Sequence, residues 1–188
     1  MSGMMGVNGI MRSTRENNAI RLSGKSTLRA IERGVIRYWM DKGLDLNQAI
    51  REAVQRGLCI HEQTVDNLVV TAGKQLLCDL LIDVESAGIS YHELGTGTTT
   101  PALTDVALTT PVVRKVVTSK LRSGNQVQLS TFFLASESTY AIKEGGLFGG
   151  AAASGTPGTG VMLCHYLQTY DNSSGTYDLT FEYTLTVN

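Results

Sequence analysis

The sequence predicts an α+β protein, with N-terminal helices followed by an antiparallel β-sandwich of jelly-roll type. Three observations carry this. Leu28, Ile31, Val35 and Trp39 recur at helical spacing. After Gly88 threonine, valine and glycine rise and charge falls. The last segment alternates strictly, with Tyr177, Leu179, Phe181, Tyr183, Leu185 and Val187 on one side and Asp178, Thr180, Glu182, Thr184 and Thr186 on the other.

Taken in order, residues 1–22 are rich in Gly, Met and Asn without a clear period and read as a flexible N-terminal arm. Residues 23–87 read as a helical region. A first helix starts near Ser23 or Ser26 as N-cap and ends at Gly43. Asp45 caps a second, with Leu46, Ala49, Ile50, Ala53 and Val54 on one side and Gly57 beyond its end. A third spans Thr64 to Ser86, weakened but not broken by Gly73. Residues 88–188 read as the β-sandwich. Its strands are Ile89–Leu94, Val112–Ser119, Gln126–Phe133, Thr139–Lys143, Val161–Thr169 and Tyr177–Val187. Ser123-Gly124-Asn125 makes the turn of a hairpin. Gly145–Gly160 reads as a small-residue loop, and Val161–Thr169 as an edge strand with few charges or prolines to protect it.

Composition narrows the function classes. A chain of 188 residues buries about 70% of its unfolded surface without disulfides or metal. No apolar run is long enough to span a membrane, and MSGMMGVNGIMRSTRENN has no apolar stretch of a secretory signal. Cys59, Cys78 and Cys164 are too scattered for a disulfide framework, which fits a reducing cytosol. The net charge of −1 hides an asymmetry of +5 over residues 1–60 and −6 over residues 61–188. Such polarity points to two surfaces with different neighbours.

Candidate chemistry is sparse. Ser23-Gly24-Lys25-Ser26-Thr27 resembles the end of a phosphate-binding loop, but position 19 is Ala where the motif needs Gly, so a capped helix start is the better reading. Cys59-Ile60-His61-Glu62, His92-Glu93 and Cys164-His165 bring thiols, imidazoles and carboxylates close in sequence without metal-ligand spacing. Adjacent strand residues also face opposite ways. No catalytic residue, metal site or cofactor is assigned, and the chain is not expected to be an enzyme. Lys25, Arg29, Arg33 and Arg37 fall every four residues, a basic stripe on the first helix. Three readings stand: a solvated face, a docking face for an acidic protein, or a helix-turn-helix over residues 23–57 that contacts DNA phosphates. If the stripe docks, apolar contacts from Ile10, Met11, Ile20 and Leu22 would hold what it steers.

Four segments resemble a known group. They are Asn67–Gly73; Ile89–Leu108, which contains Gly95-Thr96-Gly97-Thr98-Thr99-Thr100-Pro101-Ala102; Ala141–Phe148; and Leu179–Val187. This pattern is similar to small structural proteins of tailed bacteriophages, of the kind described as fibre, decoration, neck or tail proteins. The resemblance implies a virion component that forms homo-oligomers and contacts other capsid, neck or tail proteins. It would assemble in the host cytoplasm and end in the virion. The absence of a repeated shaft or heptad run favours an element cementing the head or the neck over a short tail or baseplate fibre. Neither a membrane nor nucleic acid is the expected partner. Gly95, Gly97, Pro101, Gly145 and Gly146 would act as scaffold turns and bends, not as reacting groups.

Overall fold

The structure, a computed structural model, describes residues 21–188. Their chain order is β1 (Leu22–Glu32), α1 (Val35–Asp41), α2 (Leu46–Gln55), β2 (Cys59–Val69), α3 (Thr71–Leu81), β3 (Ile89–Gly95), β4 (Pro111–Val116), β5 (Ser119–Ser123), β6 (Gln126–Phe133), β7 (Ala141–Gly149), β8 (Val161–Asp171) and β9 (Tyr177–Val187). The predicted division into leading helices and a trailing sandwich is overturned. The fold is mostly antiparallel β, one curled nine-stranded half-barrel in the order β4-β3-β7-β8-β2-β1-β9-β6-β5, and its helices are short insertions. Only its antiparallel β-rich character matches the expectation.

The first helix fails where β1 runs. Ser26, Leu28 and Ala30 are buried with a period of two, and β1 is paired along its length by β2 and β9. The spacing of Leu28, Ile31, Val35 and Trp39 crosses a strand, a bulge between Ala30 and Ile31, and α1. Tertiary pairing has overridden a fortuitous helical period. Thr64–Val69, predicted to open the third helix, closes β2 instead, and α3 begins at Thr71. In β2, Ile60, Glu62, Thr64 and Asp66 point to solvent while Cys59, His61, Gln63 and Val65 are half-buried. The second helix forms as expected, with Leu46, Ala49, Ile50 and Ala53 buried, though Val54 is exposed; Asp45 accepts from Gln48 N, and Gln48 Oε1 accepts from Asp45 N.

Val161–Thr169 is not an edge. It lies in β8, between β7 and β2, and the edges are β4 and β5. Those two edge strands are consecutive in the chain. Val117 N donates to Ser90 O on the β3 side, and Thr118 N donates to Ser130 O on the β6 side. Two residues span at most about 7 Å, so the sheet must curl until its edges approach. The concave side is filled by Leu28, Leu94, Phe133, Ile142, Leu179 and Phe181, and beyond them by Leu129, Leu147, Cys164, Tyr166 and Tyr183. On the convex side Ile36, Leu46, Ala49, Ile50 and Ala53 of α1 and α2 cover Ile31 and Phe132. Val70 and Leu108 cover Phe148 and Met162 on the same side. The predicted loop over Gly145–Gly160 begins five residues later, because Gly145–Gly149 are buried strand residues of β7.

Helix α3 packs on β8, and Gly73 sets how closely. A Cβ there would stand 2.2 Å from Leu163 O. Alanine favours a helix over glycine by about 1 kcal/mol, yet Gly73→Ala is expected to lower stability by about 1–3 kcal/mol through overpacking. The denaturation midpoint checks this; a midpoint at or above the wild-type value would contradict the close-approach account.

Candidate functional site

The basic stripe is divided among three elements. Lys25 and Arg29 stand on the convex face of β1, Arg33 follows that strand, and Arg37 is on α1. Lys25 Nζ lies 3.9 Å from Asp66, an exposed pair of little energetic weight. Arg29 is engaged by Glu62 at 2.6 Å and Glu182 at 3.7 Å. Arg33 and Arg37 stay exposed, and Arg33 lines a groove of about 430 Å³ with Val35, Tyr38, Trp39, Arg56 and Leu58. The helix-turn-helix reading of residues 23–57 falls with the first helix, since residues 22–32 are strand. Leu22 packs against the sheet's core. Ile10, Met11 and Ile20 lie outside the described residues, as does nearly all of the predicted arm.

The densest chemistry lies elsewhere, on the convex face of β3, β4, β7 and β8. Strand register places Arg114, Glu93, Gly146 and His165 in one row across these four strands. The side chains of Arg114 and Glu93 are fully buried and joined at 2.6 Å. Glu93 also accepts from Gly158 N, and Arg114 donates to Thr159 O at 2.6 Å. The guanidinium lies between the Tyr91 and Phe148 rings, 4.9 and 4.5 Å from their centroids. One strand pair further, the buried Glu144 carboxylate accepts from the backbone N–H of Gly97 at 3.0 Å, Thr109 at 3.1 Å and Thr110 at 2.7 Å. His165 bridges Glu144 (Nε2, 3.1 Å) and Asp105 (Nδ1, 2.7 Å). Burial raises the Asp105 pKa, but the Ala102 N–H and His165 outweigh it and hold the carboxyl below its ordinary value.

These carboxylates are spent on backbone amides, on Arg114 and on His165. Two long segments, the loop after β3 and the loop after β7, are tied by them to the sheet. The motif glycines serve the same packing. A Cβ on Gly95 or Gly97 would meet Glu144 Oε1 at 2.5 or 2.4 Å, and one on Gly145 would meet the Tyr166 ring at 2.5 Å. None of Gly95, Gly97, Gly145 and Gly146 has positive φ, so close approach, not a sharp turn, requires glycine there. Register shifts in β7 fall on either side of Gly145-Gly146, not at the predicted bend. Pro101 is half-buried in the loop that Glu144 ties down.

His92 and Glu93 do face opposite sides of β3. The His92 ring enters the concave core, 4.9 Å from Phe181 and hydrogen-bonded to the Tyr166 hydroxyl, which burial keeps protonated. Burial lowers the His92 pKa to about 3. The unfolded chain, with a histidine pKa near 6.5, therefore takes up a proton that the folded chain refuses. Stability is expected to fall as pH drops from about 6.5 toward 3, by up to several kcal/mol. His92→Gln is expected to flatten this slope between about pH 6.5 and 4.5, above the range in which carboxylates titrate. Urea midpoints across pH check it, and equal slopes for both chains would contradict it.

Burial pushes the Cys164 thiol up to about 12 and also raises Cys59, which disfavours the thiolate at either position. Among the described residues, no group of three or more His, Cys, Asp or Glu is placed to hold a metal ion, and no helix is long and apolar enough to cross a membrane. Sequence alone does not reveal these buried charges. In the sequence Glu93 stands beside His92, Glu144 beside Lys143 and His165 beside Cys164, so nothing local marks them as buried. Set against known proteins, no family model, curated protein or solved structure matches the chain.

Proposed function

We propose that the chain is a structural subunit of a tailed-phage virion, oligomeric, and fixed on the head or the head–tail neck. One observation carries this beyond the sequence resemblance. Two of the segments that bear the resemblance build a single buttress. Gly97, Thr109 and Thr110, in and just after Ile89–Leu108, donate to Glu144 of Ala141–Phe148. A third segment, Leu179–Val187, lies in β9 and contributes Leu179, Phe181, Tyr183 and Leu185 to the core. Residues that recur for a scaffold's sake are expected to interlock in this way, through closely approached glycines and amide-saturated carboxylates. A short tail or baseplate fibre remains the rival within the same class.

The test is quantitative mass spectrometry of washed particles from the phage whose genome encodes the chain. Many copies per particle, retained through density-gradient purification, are the expected result. A chain present in infected-cell lysate and absent from purified particles would overturn the proposal. Labelled antibody on intact particles then separates the head or neck from the distal tail.

A further inference from the structure

We propose that the chain binds a second copy of itself head to tail, the turn after α3 on one copy seating in the groove beside α1 on the next. Leu81, Val84 and Ile82 are the most exposed large apolar side chains among the described residues, at 83%, 72% and 68%, and they lie within four consecutive positions. The turn that presents them is built. Asp83 has φ of 58°, in the left-handed region that Asp tolerates. Val84 N and Glu85 N both donate to Asp79 O. The Glu85 carboxylate accepts from Ser86, Ala87 and Ala151 N–H groups, pinning the turn to the loop after β7. The result is an apolar knob flanked by Asp79, Asp83 and Glu85, none of them in an ion pair among the described residues.

The groove has the opposite character. Val35, Trp39 and Leu58 give it an apolar floor, Tyr38 is 55% exposed at its rim, and Arg33 and Arg56 supply positive charge. Arg56 shares its charge with Glu52 at 3.0 Å and lies over the Trp39 ring, while Arg33 is in no ion pair among the described residues. An exposed aromatic with flanking arginines is the composition of an interface anchor. Acidic-apolar meets basic-apolar, so the complementarity that brings the copies together is already present in one chain.

Knob and groove sit at opposite ends of the sheet. β1 runs into the groove at Glu32. Its other end lies level, through the pairs Gly24–Asn67, Val69–Cys164 and Gly149–Val161, with the end that carries the knob. One chain therefore cannot satisfy its own groove. The contact is heterologous, and it closes into a ring or continues as a stack. This rests on the self-assembling part of the function proposed above, not on the kind of particle.

Two variants of the full chain test it. Leu81→Asp with Ile82→Ser removes the knob, and Arg33→Glu with Tyr38→Glu spoils the groove. All four positions are exposed, and unchanged urea midpoints confirm that both variants fold. Wild type is expected to form assemblies larger than a dimer in sedimentation velocity. Each variant alone is expected to associate at least about tenfold more weakly. An equimolar mixture of the two has one intact knob and one intact groove per pair, so it is expected to form dimers and stop there. Trp39, the one tryptophan of the sequence, reports the same event by a shift of emission to shorter wavelength on mixing. A monomeric wild type, a variant that associates like wild type, or a mixture that stays monomeric would each overturn the inference. A chain that is monomeric in solution yet abundant in particles rejects this interface and leaves the virion proposal standing.

Discussion

Arg114→Ala is expected to lower the unfolding free energy by about 3–5 kcal/mol, because it leaves the Glu93 carboxylate charged in a site with no solvent access. Part of the loss is packing, since the guanidinium fills the space between Tyr91 and Phe148. A buried pair is itself close to neutral relative to apolar groups of the same shape. The double replacement Glu93→Leu with Arg114→Met is therefore expected to regain most of that stability, though Gly158 N loses its acceptor. Denaturant titration of the single and double variants closes the cycle. A cost below about 1 kcal/mol for Arg114→Ala would mean the pair is reached by water and is not an internal strut.

The second large effect is expected at Glu144. Its carboxylate accepts three backbone N–H groups and faces His165, so Glu144→Ala removes four partners at once. An unsatisfied buried donor costs about 1–3 kcal/mol. Gly97 is buried while Thr109 and Thr110 are exposed, so water can rescue the latter two. A total loss of about 3 kcal/mol follows, concentrated in the loop between β3 and β4. Glu144→Gln keeps one carbonyl oxygen and is expected to lose about half as much. Hydrogen exchange locates the damage: the Gly97 amide is expected to lose protection while amides of β1 and β9 keep theirs. Uniform loss across the sheet would contradict a strut confined to the loop.

Legibility in the sequence followed the range of the interactions. β9 was readable from its own residues, because its alternation of Leu179, Phe181, Tyr183 and Leu185 with polar neighbours needs only one buried face. α2 was readable because Asp45 and Gln48 cap it within one turn. β1 was not. Its inward face carries Ser26 and Ala30 beside Leu28, and its strand identity comes from β2 and β9 on either side. β2 was hidden by inward-facing His61 and Gln63, polar groups that imitate a solvated face. The buttress was opaque for the same reason: Glu144 meets Gly97 and Thr110 only after β3 and β7 have paired, and Arg114 meets Glu93 only across β4 and β3. The basic stripe misleads because a spacing of four residues matches one helical face, whereas a strand, a turn and a helix in succession produce it.

The central proposal is that this β subunit joins copies of itself into a particle. A cryo-electron-microscopy reconstruction of the intact particle tests that most directly. The predicted result is density for the curled sheet in symmetry-related copies at the head or neck, with the turn after α3 of each copy against the α1 groove of its neighbour. A reconstruction in which the chain is absent, or present as an isolated copy with both the turn and the groove open to solvent, would contradict it.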